Sequence, residues 1–401
     1  GLEEIVQPIL KKVKENGDAA VKEYTQLLDQ VDLTSIRLNP DQVSQANRAI
    51  TDELKRAIES ARKNITTFHQ SQKIPVKKVE TSRGVFCWQK PLPIERVGLY
   101  VPGGTAPLFS TVLMLGIPAI IAGCSKIILC TPPDKQGNIH PAIIYTASLL
   151  GITKIYRVGG AQAVAAMAYG TETIPKVDKI LGPGNQYVTA AKQLVSREGV
   201  AIDMPAGPSE VAVIADETAH SEFVTADLLS QAEHGADSQV ILVTTQAELL
   251  SEVQNEMKKQ LSKLPRKEMV KAALTHSKFI LTASLEQGME LINFYAPEHL
   301  ILMVKNPEDW AEKVVNAGSV FLGEYTPEAA GDYASGTNHT LPTNGYARAY
   351  SGVSLDSFVK KITFQQISRS GLRQIGPAIE QMAVAEMLEA HKNAVQIRLK
   401  T

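Results

Sequence analysis

The chain has only three cysteines among 401 residues, and each of them (Cys87, Cys124 and Cys130) lies in or beside an apolar stretch. An odd number of such thiols argues against a disulfide framework and for a reducing compartment, so the cytoplasm is the expected location. Long hydrophobic runs are also lacking. The longest, residues 112–124, contains Pro118 and is too short to span a membrane, so we expect it to lie in the core.

An excess of charge of either sign is absent as well, because 41 basic residues balance 42 acidic ones. No basic block and no basic stripe interleaved with aromatic side chains occurs, which disfavours nucleic-acid binding. The GxGxxG fingerprint of dinucleotide-binding turns is also missing, so no motif by itself assigns a nicotinamide cofactor. Length and composition are those of an enzyme-sized protein with two or three domains.

The spacing of apolar residues predicts an α/β fold. Residues 2–70 are charged and amphipathic, with Ile5, Ile9 and Val13 at helical spacing, so this region is expected to be helical. From about residue 92, short apolar runs alternate with helical stretches, which predicts right-handed βαβ units and one or two parallel sheets. The predicted strands are 126–131, 154–158, 177–181, 211–214, 239–244, 278–281, 300–304 and 319–322.

The sequence also predicts one boundary between lobes and the structure of the carboxyl-terminal stretch. Pro208 and Ser209 lie between the two groups of predicted strands, which puts a lobe boundary near residue 210. The last stretch, residues 377–401, is predicted to be a helix followed by a short extended tail.

The segment LLSQAEHGADSQV carries a pair of polar residues at helical spacing. Ser221 can cap a helix there and Gly235 can end it. Asp227, Gln231 and His234 would then form one polar stripe, and an amide oxygen and an imidazole one turn apart can reach the same metal ion. A solvated helix face explains the same spacing, so the pair leaves both interpretations open.

Three glycine-containing turns are candidates for ligand binding: residues 97–110 with Gly103 and Gly104, residues 159–162 (GGAQ) and residues 182–185 (GPGN). Such turns let the backbone approach a ligand, and a turn that opens a helix presents free N–H groups to anions. Ordinary βα turns have the same composition, and this alternative also stays open.

In YAPEHL, Glu298 and His299 offer two groups that exchange protons near neutral pH when their pKa values are tuned. On a regular strand these neighbours would point to opposite faces, so they act together only if the backbone around 297–298 is irregular. They also precede a predicted strand, whereas ligands of open α/β sheets usually bind at the carboxyl ends of strands.

The remaining polar candidates lie near the carboxyl end. Asp332 in AGDYASGTNH is a possible carboxylate ligand. Glu386 and His391 are about 140° apart on an ideal helix, so either the helix ends between them or they make different contacts. His69, His140, His220, His276 and His339 are expected to be structural or surface residues. Cys124 and Cys130 could trap an aldehyde as a thiohemiacetal, but a buried inert role is the favoured interpretation.

Eight segments, taken in order, resemble the histidinol dehydrogenase family: VGLYVPGGTAPLFSTVLM, GGAQAVAAMAYGT, KILGPGN, DMPAGPSEV, LLSQAEHGADSQVIL, YAPEHL, AGDYASGTNHTLPT and AHKNAV. The resemblance implies oxidation of L-histidinol to L-histidine through L-histidinaldehyde, the last two steps of histidine biosynthesis, with two NAD and one zinc ion per subunit. It also implies a homodimer with two incomplete Rossmann-like lobes and a carboxyl-terminal tail that crosses to the partner.

Carried onto this chain, the resemblance implies four segments. These are a helical region (1–91), a first lobe with NAD-contacting loops (92–209), a second lobe with metal ligands and an acid–base pair (210–325), and a metal and substrate loop with the dimer-crossing tail (326–401). The implied zinc ligands are Gln231, His234, Asp332 and His391. The implied substrate contacts are Ser209, Gln231, His234, His299, Asp332, Glu386 and His391. The implied NAD contacts are Tyr100, Gln162 and Asn185, and Glu298 and His299 are the implied acid–base pair.

Other functions would use only part of these residues. A related dehydrogenase of another small amino alcohol or diol would not require Gln231, Glu386 and His391, which are the substrate-binding positions. A zinc hydrolase could use the same ligands with Glu298 activating water, but it would need no cofactor loops. A non-catalytic nucleotide-binding or scaffold protein would have no use for the acid–base pair.

Overall fold

A computed structural model describes residues 1–103, 106–205 and 207–400. The chain forms two compact units. The first comprises Gly1–Gln72 and Glu95–Phe358, and the second comprises Lys73–Ile94 and Val359–Thr401.

The helices follow the chain from the amino end to the carboxyl end. They are α1 (Leu2–Tyr24), α2 (Pro40–Ala49), α3 (Asp52–Ser71), α4 (Phe109–Ala122), α5 (Pro141–Leu149), α6 (Gly160–Tyr169), α7 (Gln186–Ser196), α8 (Ser221–Ala232), α9 (Ala247–Leu261), α10 (Lys267–Leu274), α11 (Leu285–Tyr295), α12 (Pro307–Ala311), α13 (Glu328–Tyr333), α14 (Arg369–Ala385) and α15 (Glu389–Lys400). A π-helical turn, Thr25–Asp29, follows α1, and short 3-10 turns lie at Tyr346–Arg348 and Leu355–Phe358. Of the helices in the described ranges, none is both long enough and apolar enough to cross a membrane.

The strands are β1 (Val79–Ser82), β2 (Val85–Pro93), β3 (Arg96–Tyr100), β4 (Lys126–Thr131), β5 (Lys154–Arg157), β6 (Lys179–Leu181), β7 (Ala201–Ile202), β8 (Glu210–Ala215), β9 (Gln239–Thr244), β10 (Lys278–Leu281), β11 (His299–Met303), β12 (Ser319–Leu322) and β13 (Val359–Ile367). Each of the eight strands predicted from the sequence is present, and the two parallel sheets that they form confirm the predicted α/β class.

The N-terminal region is helical as predicted, and the stripe of α1 named from the sequence is partly buried. Val13 is buried together with Val6 and Leu10 in the core that contains α6, and Ile9 packs against this core, whereas Ile5 remains more than half exposed. Helix α2 begins with a capping box between Asn39 and Gln42, and α3 begins at Thr51, whose hydroxyl accepts the N–H of Leu54.

The first sheet has the order β5-β4-β3-β6-β7, and all its neighbours are parallel. Its central strand, β3, was not predicted because the segment that contains it also contains the Gly103 turn and was interpreted as a loop. β3 joins the two halves of the sheet, pairing with β4 on one side and β6 on the other. Its carboxyl end therefore lies at the middle of the sheet edge, where ligands of such sheets bind.

The second sheet has the order β10-β9-β8-β11-β12 and is also parallel. Alternate residues of β8 enter different cores. Val211 and Val213 pack with α8 on one face, and Ala212 and Ile214 pack with Ile292 of α11 on the other. Burial of both faces explains why the strand is continuously apolar in sequence.

The second unit has an antiparallel sheet, β1-β2-β13, and the helices α14 and α15. The predicted extended tail is wrong, because α15 continues to Lys400. Strands β1 and β2 lie partly within residues 1–91, where only helices were expected. Most residues of β13 are exposed, so the strand lacks the apolar run that identified the buried strands.

Candidate active site

Helix α8 carries Gln231 into the interior of the first unit. Gln231 is fully buried, and neither its amide oxygen nor its amide nitrogen has a hydrogen-bond partner. Asp227, one turn earlier, is also buried, so a solvated helix face is the wrong interpretation of the stripe. The helix is shorter than predicted. It begins after His220 and ends at Ala232, which leaves His234 just beyond its last turn.

His234 meets two carboxylates of α13. Its Nε2 atom lies 3.6 Å from Oδ2 of Asp332, and one ligand atom each from His234, Glu328 and Asp332 lie within 4.8 Å of one another. Glu328 and Asp332 are both buried and stand one helical turn apart. The sequence interpretation missed Glu328, although its spacing of four residues from Asp332 places both on one helix face.

This donor set suits a divalent metal ion. An imidazole and two carboxylates converge, and the helix that precedes His234 ends in a buried amide with both polar atoms unpaired. A buried amide without a partner costs free energy, so its presence indicates a ligand that satisfies it. Nitrogen and oxygen donors of this kind bind zinc. The residues of the first unit therefore fit three of the four ligands that the resemblance implies.

Glu298 and His299 lie against the same cluster. A left-handed residue, Ala296, ends α11, and a bend at Glu298 precedes β11, so the backbone has the irregularity that the pair requires. Oε2 of Glu298 lies 3.6 Å from Nδ1 of His299, and Nε2 of His299 lies 3.6 Å from Oδ1 of Asp332. The two neighbours therefore act at one place and not on opposite faces.

The first residue of β8 holds this pair in position. The backbone N–H of Glu210 donates to Oε2 of Glu298 at 2.9 Å, and its carbonyl oxygen lies 3.1 Å from Nδ1 of His299. One carboxylate oxygen of Glu210 accepts the N–H of Asn344, and the other has no partner. Ser209 directly precedes this residue and is partly buried. Sequence reasoning missed Glu210, because only β8–β11 pairing brings it to Glu298.

The electrostatics of the pair follow from burial and close charges. Burial raises the pKa of Glu298 to about 7, although His299 opposes this shift. Burial disfavours the imidazolium of His299, but the carboxylates of Glu298 and Asp332 outweigh it and raise the pKa to about 10. Burial also favours the protonated form of Asp332, but His299 outweighs that effect and lowers the pKa. In the metal-free protein, His299 is therefore an imidazolium held by carboxylates.

His339 also belongs to this region. Its Nδ1 atom lies 2.9 Å from the carbonyl oxygen of Asp332, and its Nε2 atom lies 3.1 Å from the Thr111 hydroxyl. These contacts hold the ring between α4 and α13, in keeping with the structural role expected of His339. No local signal in the sequence separates it from the other histidines, since its partners come from α4 and α13.

The cluster lies at the amino ends of the strands of the second sheet, opposite to the usual edge. Glu210 and His299 begin their strands, and α8 runs back across the sheet so that Gln231 arrives at the same edge. The first sheet follows the usual rule, because its carboxyl edge opens into a cavity of about 1230 Å³.

Tyr100, Gln162 and Asn185 all line that cavity. The Tyr100 hydroxyl accepts the N–H of Gly160 at 3.1 Å, and the Asn185 side chain accepts the N–H groups of Tyr187 and Val188 at the start of α7. Gln162 is buried, and both of its amide atoms lack partners. The structure therefore brings the three predicted cofactor contacts together. Gly103 lines the same cavity, and Gly104 lies outside the described residues.

A buried ion pair supports the GPGN turn. The Lys192 ammonium pairs with Asp203, and the two side chains are 5% and 1% exposed. The ammonium also donates to the carbonyl oxygen of Gly182, and the N–H of Gly182 donates to Asp203. Gly182 itself has a φ of +132°, and a Cβ there would come within 2.0 Å of the Tyr100 carbonyl oxygen.

Replacing Asp203 with alanine is expected to lower the free energy of unfolding by about 3–5 kcal/mol, because the ammonium of Lys192 would stay buried without its partner. Urea denaturation measures this change. Glu95→Ala, which breaks an exposed pair with Lys126, is the control and should have a much smaller effect. Equal losses in both variants would contradict the role of the buried pair.

Glu386 and His391 belong to the second unit, and both are exposed. Glu386 caps the carboxyl end of α14, and His391 lies in the first turns of α15. The helix therefore ends between them, as one of the two sequence alternatives requires. The thiols take no part in the cluster. Cys130 is fully buried, which raises its pKa strongly, and Cys124 is almost as buried.

Two parallel five-stranded sheets, each between layers of helices, and a ligand-sized cavity at the first sheet define an α/β protein with a binding site at a sheet edge. An acetylating aldehyde dehydrogenase from Geobacillus thermoglucosidasius shares this fold with a TM-score of 0.52 and 13% identity, over 90% of this chain and 96% of that one. Such a distant likeness shows the fold alone.

Closer relatives identify the family. The model of the histidinol dehydrogenase family matches residues 1–399, so the chain belongs to that family. A histidinol dehydrogenase from Bacteroides thetaiotaomicron is 62% identical over 99% of this chain and 92% of the relative. The crystal structure of histidinol dehydrogenase from Elizabethkingia anophelis has a TM-score of 0.98 and 58% identity, covering 100% of this chain and 92% of that one. The protein is therefore an oxidoreductase of histidine biosynthesis that acts on histidinol.

Proposed function

We propose that this protein oxidises L-histidinol to L-histidine through L-histidinaldehyde, with two NAD and one zinc ion per subunit. The observations that carry the proposal are the cluster of His234, Glu328 and Asp332 and the buried, unpaired amide of Gln231, three residues before His234. His299 lies 3.6 Å from Asp332 of this cluster, which supports a role of Glu298 and His299 in proton transfer beside the proposed metal ligands.

Gln231, His234 and Asp332 would hold the metal, and His391 of the partner subunit would complete the set. Histidinol carries an imidazole and an amine, and both are good zinc ligands. Bound zinc would serve as a template for these two nitrogens, and bound NAD would accept the hydride in both oxidations. Ser209 and the partner's Glu386 would contact the substrate, with Glu386 beside one of its nitrogens.

The acid–base pair would move the protons. His299 takes the proton of the alcohol oxygen as the substrate loses its first hydride. Glu298 then takes a proton from the water that attacks the aldehyde carbon, while the carbonyl oxygen takes back the proton that His299 holds, which forms the hydrate. His299, neutral again, accepts a proton when the hydrate loses its second hydride and becomes the carboxylic acid, which ionises to the carboxylate. Each well-placed base contributes a rate factor of typically about 10² to 10⁴.

His299 must be neutral before it can accept a proton. In the metal-free protein, the charges of Glu298 and Asp332 hold it protonated. If Asp332 ligated a cation, its negative charge would be shared and would favour the imidazolium less. The same carboxylate would then couple metal binding to the proton state of the base.

The cavity of the first sheet would bind NAD. Tyr100, Gln162 and Asn185 line it, and the turns before α6 and α7 suit the pyrophosphate. The unpaired amide of buried Gln162 supports this assignment, since a bound carboxamide or ribose would satisfy it.

We further propose a homodimer in which each site uses residues of both subunits. A variant with His234→Ala and one with His391→Ala should each be inactive alone. Mixed dimers, confirmed by differently tagged subunits, should regain activity. If subunits mix at random, half of the dimers are mixed, and one of the two sites in each mixed dimer is intact. The expected activity is therefore up to about one quarter of the wild-type value. Confirmed mixed dimers without activity would contradict a shared site.

The cytoplasm is the proposed location. None of the three cysteines, Cys87, Cys124 and Cys130, is paired in a disulfide, which fits a reducing compartment.

The experiment that tests the proposed function is NADH formation from limiting L-histidinol with excess NAD, on zinc-loaded and chelator-treated protein. We expect two NADH per histidinol, loss of activity on chelation and recovery with zinc. One NADH would mean that oxidation stops at the aldehyde. No NADH from folded, zinc-loaded protein would favour a different amino alcohol or a hydrolase.

A further inference from the structure

One wall of the first-sheet cavity comes from the N-terminal arm, which we define as residues 1–50. The cavity is lined by aliphatic side chains of this arm: Ile5 and Ile9 of α1, Leu28 of the π-helical turn, Leu38 before α2, and Ala46 of α2. The same cavity is lined by Tyr100, the last residue of β3, and by Gln162 in the first turn of α6. The aliphatic side chains of the arm give a flat aromatic group contact area, but only polar groups can orient a sugar.

Asp29 is the carboxylate of this wall, which also contains the amide side chains of Gln42 and Gln45. It is the last residue of the π-helical turn after α1, and its Oδ2 atom is buried without a hydrogen-bond partner although the side chain lines the cavity. Its charge acts on Tyr100 across the cavity, where it helps to raise the pKa of the phenol. Burial raises the pKa of Asp29 itself to about 6, so the carboxylate form predominates at neutral pH.

Asp134 is the other carboxylate among the residues that line this cavity. It follows β4, close to where dinucleotide-binding folds often place the acid that binds the adenosine ribose. However, its Oδ1 atom accepts the N–H groups of Gln136 and Asn138, both at 2.9 Å, and so closes its own turn. Of these two carboxylates, Asp29 is therefore the one with a buried, unused acceptor.

We infer that Asp29 of the N-terminal arm binds the hydroxyl groups of the adenosine ribose and makes the enzyme prefer NAD to its 2′-phosphorylated form. A carboxylate accepts hydrogen bonds from both vicinal hydroxyls of a ribose, and it repels a phosphate in place of the 2′-hydroxyl. Lys135 also lines the cavity and would attract that phosphate, but it is exposed and therefore screened by salt. The inference rests on the proposed use of NAD.

The test compares Asp29→Asn with wild type by calorimetric titration of NAD and NADP into the full-length, zinc-loaded protein. Asparagine keeps the shape but loses the charge. We expect about tenfold weaker binding of NAD, since hydrogen bonds to a charged group contribute that much. Binding of NADP should be unchanged or tighter, so the ratio of the two affinities falls. Asp134→Asn is the matched control and should keep both affinities within about twofold, because its amide oxygen can still close the turn.

Thermal unfolding of the ligand-free variants separates binding from folding. Asp29→Asn should be at least as stable as wild type, because it removes a buried carboxylate that lacks a partner. If wild type binds NAD and the variant binds both dinucleotides as wild type does, the role of Asp29 is refuted while the proposed function stands. An equal loss for NAD and NADP also refutes the selectivity. If wild type binds neither dinucleotide, the proposed use of NAD fails and the inference fails with it.

Discussion

Replacing Gln231 with leucine should weaken zinc binding by at least about 100-fold and at the same time stabilise the metal-free protein. Leucine has a similar volume, so the packing around α8 is retained. It removes two buried polar atoms that have no partner, each of which costs free energy in the metal-free state. The free energy of unfolding should rise by roughly 1–3 kcal/mol in the presence of a chelator. Zinc titration and urea denaturation measure the two effects.

Gln162→Leu is the matched control, because Gln162 is also a buried glutamine with both amide atoms unpaired. Gln162 lines the cavity of the first sheet and is not a proposed metal ligand. The substitution should therefore stabilise the ligand-free protein in the same way and lower the affinity for NAD, while the affinity for zinc stays unchanged. Wild-type zinc affinity in Gln231→Leu would remove Gln231 from the ligand set. Weaker zinc binding in both variants would indicate a general effect of the substitution.

The second large effect is expected for Glu298→Gln, which should slow oxidation of L-histidinaldehyde by about 10² to 10⁴ and leave oxidation of L-histidinol nearly unchanged. The amide keeps the hydrogen bond from the N–H of Glu210 but cannot take a proton from water. In wild type, the aldehyde step should also slow as the pH falls through about 7. Burial raises the pKa of Glu298 to that value, and the protonated carboxyl is not a base.

Stopped-flow measurement of each half-reaction, started separately with the alcohol and with the aldehyde, tests this assignment. Glu308→Gln, an exposed glutamate beyond the other end of β11, is the control and should change neither rate. Equal losses in both half-reactions would show that Glu298 does not act in the hydration step alone. Its role would then be to hold His299 in position.

The zinc affinity of Glu298→Gln shows whether the substitution removes only the function of Glu298 or also disrupts the metal site. Glu298→Gln should bind zinc as wild type does, because Glu298 is not among the proposed ligands. Loss of zinc from the variant would mean that the substitution disturbs Asp332 through His299, which lies between them.

Much of the fold could be predicted because a buried strand is visible in the sequence as a short, continuously apolar stretch. The strand KIILCT and the strand QVILVT are continuously apolar, since helices cover both faces, and this pattern is visible without any knowledge of their neighbours. The exposed strand β13 has no such pattern, and β3 runs directly into the turn that contains Gly103. Both were missed, and the length of α15 was wrongly predicted as an extended tail.

The candidate site divides in the same way. Helical spacing placed Gln231 and His234 together, and adjacency placed Glu298 beside His299. Glu210 and the Thr111 contact of His339 were missed because the partners are distant in sequence, whereas Glu328 was missed although its spacing of four residues from Asp332 is visible in the sequence. The carbonyl oxygen of Glu210 reaches His299 across a strand pair, and His339 reaches Thr111 over more than two hundred residues.

The sequence by itself determined the α/β class, the order of most strands along the chain and the residue types available for metal and proton chemistry. These depend on local periodicity and on side-chain chemistry. Only the tertiary structure decided that α8 ends at the amino edge of the second sheet, that the bend before β11 turns Glu298 toward His299, and that Asp29 lies in the cavity of the first sheet. The physical reason is that packing between distant segments sets these positions, and the free energy of that packing is spread over many residues.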